Sequence, residues 1–477
     1  MRKLLLGLQV VVILLLSTFK IVHAQGYEIT VKINDIKDTV AYLGYNFGDQ
    51  KFVKDTSKVY NGNTLKFKGR TPLAQGVYFV YTPRVYFELI INEQKFSIQT
   101  DTTNFVEHMK IEGSKENILF NDFQKFMADR QSRITGLSSK IDTLKKKNDS
   151  LGIKDIQHNI IEISDEIKSY QRTLIANNQG TFVAKLINAM QKPEVPDPPK
   201  NEKGETVDKS WQFFWYKNHF FDTFNLADSG LLRSPVYQSK VDEYMDKLTY
   251  QHPDSIATAA DYLLKKAEPS KEAYRYLLVK LTNKYETSNI MGLEKVFVYL
   301  SEKYYLTGKA YWADSALVAK FQQRVKELKP NLVGNVAPEM QLVDTLMRPV
   351  RLSSIKSRFI ILYFYDPDCG HCKKTTPLLY DLYKTKLKSK NVSVWGASIV
   401  TDIKKWKDYI KSNHLDWLNV ADPYLHSNFR ADYDIKTTPT IYILDSKKEI
   451  IAKRLGVDQI EDFLNRVIEF ENSKNKT

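Results

Sequence analysis

Only two cysteines occur among 477 residues, and they stand three positions apart in Cys369-Gly370-His371-Cys372. A bond between them would close almost no loop and would restrict the unfolded chain very little. With no other pair to staple distant segments, the fold must rest on buried apolar surface. A chain of this length exceeds what one core can serve, so two to four domains are expected. A lone C-x-x-C in such a chain reads as a working pair rather than a structural one.

The N-terminus bears on compartment. Arg2 and Lys3 precede the apolar run Leu4 to Leu16, then Lys20 and Val22-His23-Ala24. A basic start, a short apolar core and a small residue at the exit read as a cleaved secretory signal over 1–24. A membrane span needs roughly 20 uninterrupted apolar residues, and Lys20 cuts this run short, which leaves an uncleaved anchor as the alternative. No second apolar stretch is long enough to span a bilayer. Exported proteins that staple themselves with disulfides spread several pairs along the chain, and this one does not. Lys and Arg outnumber Asp and Glu by 70 to 56, a formal charge of +14. The lysines are interleaved with acids, so the excess reads as a solvated basic surface rather than a nucleic-acid face.

Four segments follow from pattern: the signal, an antiparallel β-sandwich-like domain at 25–114, an all-α domain at 115–330 and an α/β domain at 331–477. In the first domain, Tyr27 to Ile33 and Thr64 to Lys68 alternate in character, Val77 to Tyr81 and Tyr86 to Ile91 are aromatic and β-branched, and Asn61-Gly62-Asn63 and Gly76 mark turns. In the second, Leu137 to Leu151 and Ile156 to Leu174 carry isoleucine and leucine at helical spacing, predicting an αα-hairpin. Pro193 to Thr206 reads as a loop. The stripe Phe213, Phe214, Trp215, Tyr216, Phe220 and Phe221 is expected in a core or at a domain interface. Beyond the seam Pro330 to Pro338, strands are expected at Phe359 to Tyr365, Val392 to Val400, Thr440 to Leu444 and Glu449 to Leu455. Helices are expected at Lys373 to Leu387, Asp402 to Asn413, Tyr424 to Tyr433 and Gln459 to Phe470. That alternation defines an α/β domain.

The cysteines sit where the strand Ile360 to Tyr365 gives way to a helix. At a helix N-terminus, unpaired N–H groups and the positive end of the dipole stabilise a thiolate. Cys369 is therefore expected to be the exposed nucleophile and Cys372, one turn inside, the resolving thiol. His371 is expected to favour the thiolate further, whereas Asp366 and Asp368 oppose it. A zinc site needs about four ligands; no second C-x-x-C exists, and nothing near His414 or His426 recruits them. His108, His158, His219 and His252 read as surface or core residues, so no metal is expected.

The strand, the C-x-x-C helix with Pro377 inside it, and Thr437-Thr438-Pro439-Thr440 before a second strand together resemble thioredoxin-like proteins. Gly334-Asn335-Val336-Ala337-Pro338 resembles the start of the exported TlpA-like and ResA-like thiol reductases. The resemblance covers Gly334 to Phe470. It implies a cis Thr438–Pro439 bond opposite the cysteines, with Thr438 offering backbone pairing to a bound polypeptide. The upstream order is similar to multi-domain proteins of Gram-negative anaerobes, with His252-Pro253-Asp254-Ser255 and Tyr311-Trp312-Ala313-Asp314 typical of their middle region. That similarity implies architecture rather than role.

The chain also departs from the family. Asp368 stands where thioredoxins place a tryptophan, Tyr363 where they bury an acid, and Thr375 where ResA-like proteins keep one. Proton transfer during resolution thus lacks an obvious owner, leaving water or His371. The Gly370-His371 dipeptide resembles protein disulfide isomerase, and these families span roughly −270 to −180 mV, so a pair less reducing than thioredoxin is expected. The resemblance implies a periplasmic thiol–disulfide oxidoreductase that reduces protein disulfides through a mixed disulfide. Its redox element would be the Cys369–Cys372 pair without further cofactor. Its partners would be protein thiols and disulfides and a membrane thiol electron donor. Disulfide isomerase or oxidase activity, or a binding or scaffolding protein with an accessory redox domain, are the alternatives. A thiol peroxidase is weaker, because no oxygen-activating surround is identifiable.

Overall fold

The computed structural model describes residues 26–474, so the signal expected at 1–24 lies outside the described residues. The described residues divide into two compact units, one running to Thr249 and including Tyr262–Tyr276, the other comprising Tyr250–Asp261 and the residues from Leu277 onward. The helical region between the two β-containing parts is thus shared out between the units.

In the first unit, strands β1 Tyr27–Asn34, β2 Val40–Phe47, β3 Gln50–Lys58 and β4 Thr64–Gly69 lead to β5 Gly76–Tyr81, β6 Tyr86–Ile91, β7 Lys95–Asp101 and β8 Lys110–Glu112. They form two sheets, ordered β4-β1-β7-β8 and β3-β2-β5-β6. Ile29, Val31, Leu65 and Phe67 of one sheet share a single core with Leu43, Val80 and Leu89 of the other. Strand β1 alternates buried and wet positions as a sheet with one dry face requires. The pairing is antiparallel except between β1 and β7, which run parallel.

Helices α1 Lys115–Lys146, α2 Ser150–Asn177 and α3 Phe182–Met190 follow. The buried Asn117 amide pairs with both backbone groups of Ile90, each at 2.7 Å, tying α1 to β6. The Glu116 carboxylate accepts from the N–H groups of Phe182 (2.6 Å) and Val183 (2.9 Å), placing a negative charge on the N-terminus of α3. The expected αα-hairpin exists as α1 and α2. Its break falls at 147–149, where Asn148 adopts φ +55° and the Asp149 side chain caps Gly152 at 2.9 Å. Apolar spacing alone had extended the first helix to Leu151.

Helix α4 Trp211–His219 narrows one expectation to its last members. None of its residues is buried, whereas Phe220 and Phe221, just beyond it, are. Its aromatic rings stack on one another instead, Trp215 on His219 at 4.1 Å and Phe213 edge-on to Phe214 at 5.5 Å.

The second unit holds α5 Glu294–Leu300, α6 Ser315–Leu328, and a seven-stranded sheet. Its strands are β9 Gln341–Asp344, β10 Pro349–Arg351, β11 Phe359–Tyr365, β12 Val392–Ser398, β13 Leu418–Ala421, β14 Thr440–Leu444 and β15 Ile450–Lys453, in the order β10-β9-β13-β12-β11-β14-β15. Strands β11, β12 and β13 are parallel, while β14 runs antiparallel beside β11. Helices α7 Gly370–Leu382, α8 Ile403–Ser412 and α9 Val457–Lys474 complete the domain. Every residue of β11 is buried. Phe359, Ile361, Tyr363 and Tyr365 enter a core with Leu379, Trp406 and Leu464, and Ile360, Leu362 and Phe364 enter another with Trp395, Phe429 and Tyr442. A strand covered on both faces reads as a continuous apolar run. The helix expected over Tyr424 to Tyr433 shrinks to Phe429–Asp432. The Asp422 carboxylate takes the N–H groups of His426 (2.9 Å) and Ser427 (3.0 Å), and Leu425 sits at φ +57°, so a loop replaces the first helical turn.

Candidate active site

Strand β11 delivers the chain through Asp366-Pro367-Asp368 to Cys369, which is the N-cap residue of α7, with φ −67° and ψ 122°. Cys369 is partly exposed and Cys372 is buried, and both are free thiols. The N–H groups of Cys372 and His371 point back at the Cys369 sulfur. The first of these is the largest influence holding its pKa below the ordinary 9.0, against a smaller opposing effect of desolvation. Burial pushes Cys372 the other way, up to about 11. One helical turn therefore separates an activated thiol from a protonated one.

Opposite lies Thr438, whose bond to Pro439 is cis. In the thiol form, Cys369 Sγ donates to the Thr438 carbonyl at 3.2 Å. Hydrogen bonding from the Thr438 side chain lowers the pKa of both cysteines. His371 and Gly370 are exposed, and nothing lies within 4 Å of a Cβ placed on Gly370, so steric need does not dictate glycine there. Pro377 lies inside α7 on its exposed side. The structure thus brings Cys369, Cys372 and Thr438 together, with His371 beside them along the helix and Pro377 further down it.

Asp368 differs in effect from the sequence reading. Asp368 pairs with Lys405 of α8 at 2.6 Å, which offsets its charge beside Cys369 and holds its own pKa below 3.8. Tyr363, at the position of the family's acid, is fully buried and bonded to Thr376 Oγ1 at 2.6 Å. Tyr409 donates to the same oxygen at 2.7 Å and approaches the Cys372 carbonyl at 3.3 Å. Burial lifts Tyr363, Tyr365 and Tyr409 above the ordinary value of 10.0, so these hydroxyls keep their protons. Lys405, Thr376 and Tyr409 were not singled out by sequence. No motif joins α8 to a helix more than thirty residues earlier; only the helical spacing of Trp406 and Tyr409 hints at a shared buried face.

Beside the cis-proline runs a groove of about 870 Å³, with Thr375, Leu378, Thr437, Pro439, Leu455 and Arg324 among its lining residues. Among the described residues, no cluster of three or more His, Cys, Asp or Glu side chains could hold a metal ion.

A helix-capping cysteine with a depressed pKa, a shielded partner one turn later and a cis Thr–Pro facing them define a thioredoxin-like thiol–disulfide site. Comparison with known proteins agrees. Residues 333–453 match the AhpC/TSA family, 162–330 a domain of unknown function (DUF5106) and 27–120 another (DUF4369). The thiol-disulfide oxidoreductase ResA of Bacillus subtilis is 24% identical over 143 residues, which cover 29% of this chain and 78% of that protein. Among solved structures, a domain of a possible thiol-disulfide isomerase from Cytophaga hutchinsonii is 38% identical, with a TM-score of 0.29, covering 31% of this chain and 99% of that one. A thioredoxin-like protein from Bacteroides caccae is 17% identical, with a TM-score of 0.46, covering 58% and 98%. Residues 333–453 thus form an AhpC/TSA-family domain similar to thiol-disulfide oxidoreductases such as ResA, and two domains of unknown function precede it.

Proposed function

We propose that this protein is a periplasmic protein-disulfide reductase that works through a mixed disulfide. The observation that carries the reading is the asymmetry of the two thiols, Cys369 accessible with a lowered pKa and Cys372 buried with its pKa at about 11. The Cys369 thiolate attacks one sulfur of a client disulfide, the client S–S bond breaks, and one client thiolate leaves and takes a proton. Cys372 then gives up its proton and attacks Cys369 Sγ, releasing the second client thiol. The client gains two electrons and the protein is left with a Cys369–Cys372 disulfide. A dithiol donor of the membrane must return those two electrons, and no cofactor other than the cysteine pair is required. Client proteins are the substrates, and nucleic acid has no place in the scheme. The compartment is inferred from the expected signal; no helix among the described residues is long and apolar enough to cross a membrane.

The test is the reduction potential of the pair, measured by equilibration with glutathione or dithiothreitol buffers, alongside trapping with a Cys372→Ser variant. A potential near or below roughly −270 mV supports the reductase reading, and a client mixed disulfide on Cys369 is the expected trapping result. A potential of roughly −180 to −120 mV replaces the reading with isomerase or oxidase work. Absence of a reversible couple moves the function to the upstream domains.

A further inference from the structure

The loop that carries Thr438 is gripped from outside the thioredoxin-like domain. Helix α6 ends shortly before the segment matching the AhpC/TSA family begins at residue 333. From it, Arg324 reaches Asp434 with two parallel bonds, 2.7 Å and 3.1 Å. One turn on, Glu327 takes Lys436 at 2.8 Å. The charges are crossed, a cation of the helix on an anion of the loop and an anion of the helix on a cation of the loop. The Asp434 side chain is 1% exposed and also faces Arg454 (3.1 Å) and Lys436 (3.5 Å). Asp434 sits at φ +46°, in the left-handed region that aspartate enters more readily than most non-glycine residues. Four residues later the same loop presents Thr438 to Cys369.

We propose that Arg324 is a positioning residue for the redox site, acting through Asp434 to hold the 434–438 loop so that Thr438 lies over the two cysteines. The helical segment, of no assigned role, thereby contributes to the reactivity of Cys369. The proposal rests on Cys369 being the reactive thiol, but its test reads that thiol directly and requires no client or electron donor. A hydroxyl donating to a charged thiolate outweighs a neutral thiol donating to a carbonyl, so displacing Thr438 weakens the thiolate.

The experiment is the pH profile of Cys369 alkylation by iodoacetamide in the full-length reduced protein. Arg324→Gln is expected to raise the apparent pKa and to lower the alkylation rate at pH 7 about threefold to tenfold, one unit being tenfold in thiolate. Arg324→Lys keeps the charge without the fork and restores part of the rate. The sign for Asp434→Asn decides between mechanisms. If the loop is held by the pair, both Arg324→Gln and Asp434→Asn raise the pKa. If only distant charge matters, losing a cation raises it and losing an anion lowers it, and opposite signs overturn the proposal. In a Thr438→Val background, Arg324→Gln is expected to add nothing, and a full additive effect also overturns it. Should Arg324→Gln fail to fold, Glu327→Gln severs the neighbouring Lys436 contact and must shift the profile in the same direction. An unchanged profile in a folded Arg324→Gln or Glu327→Gln protein refutes the assignment.

Discussion

At the scale of single residues, the site works by difference. Cys369 and Cys372 carry the same group, yet the helix N-terminus favours the charged form of one and burial the neutral form of the other. Iodoacetamide at pH 7 is expected to label Cys369 of the reduced protein, with Cys372 modified only after unfolding, as peptide mass spectrometry would read. The same asymmetry sets a stability window. Cys372 ionises near 9.0 in the unfolded chain and at about 11 in the fold, so the unfolded state loses its proton first as pH rises. Its contribution is fully present below pH 9 and declines between 9 and about 11. Denaturant titrations of reduced protein across that range should show the midpoint falling, and a Cys372→Ala variant should lack that component.

At the scale of elements, legibility followed the strength of the local signal. Strand β11 was plain because seven consecutive apolar residues allow little but a strand covered on both faces, and the C-x-x-C after it marked a helix start. The hairpin β9–β10 went unseen, since strands of four and three residues carry too few positions to show a period. The Tyr424 to Tyr433 segment has helix-like composition, and a single carboxylate, Asp422, diverts its backbone. Helix α4 shows the converse, as Phe213 and Phe214 of the stripe expected in a core or at a domain interface are exposed, while Phe220 and Phe221 beyond it are buried. Replacing Phe213 and Phe214 together by serine should leave the thermal midpoint nearly unchanged, since exposed changes typically stay within about 0.5 kcal/mol. Phe220→Ala should cost about 3–5 kcal/mol, because that ring is fully buried. A comparable loss in both variants would mean that α4 is covered in solution. Of the site, the cysteines and Thr438-Pro439 were readable because they lie in two short motifs, whereas Lys405, Thr376, Tyr409 and Arg324 act across distances no motif spans.

At the scale of the molecule, the boundaries that sequence suggests and those that packing makes are different. Residues from Leu277 onward join the C-terminal unit, and a second buried contact accompanies that of Arg324. Lys453 of β15, 2% exposed in its side chain, pairs with Glu294 of α5 at 2.6 Å and donates to both oxygens of Asn331 at 3.0 Å. Asn331 in turn donates to the Asp432 carbonyl at 3.0 Å. Glu294→Gln would leave a buried cation without its counter-charge, and removing one partner of such a pair costs about 3–5 kcal/mol. Burial already pulls the Lys453 pKa down from 10.5, and the variant should lower it further. The folded state then sheds its proton before the unfolded one does. Stability of Glu294→Gln should accordingly rise with pH from 7 towards 10, relative to the parent, in parallel thermal melts.

The parallel pairing of β1 with β7 has a consequence for how the first unit comes into being. Tyr27–Asn34 lies between β4 and β7 in its sheet, so a chain emerging N-terminus first presents a strand with one apolar face whose second neighbour, Lys95–Asp101, has yet to appear. Closure over such a separation in sequence is slow, and until it happens β1 offers one unpaired edge, the kind of template on which chains aggregate. The sandwich can therefore be completed only after Lys95–Asp101 has arrived, and the interval before that is when a holding chaperone would matter most to this protein.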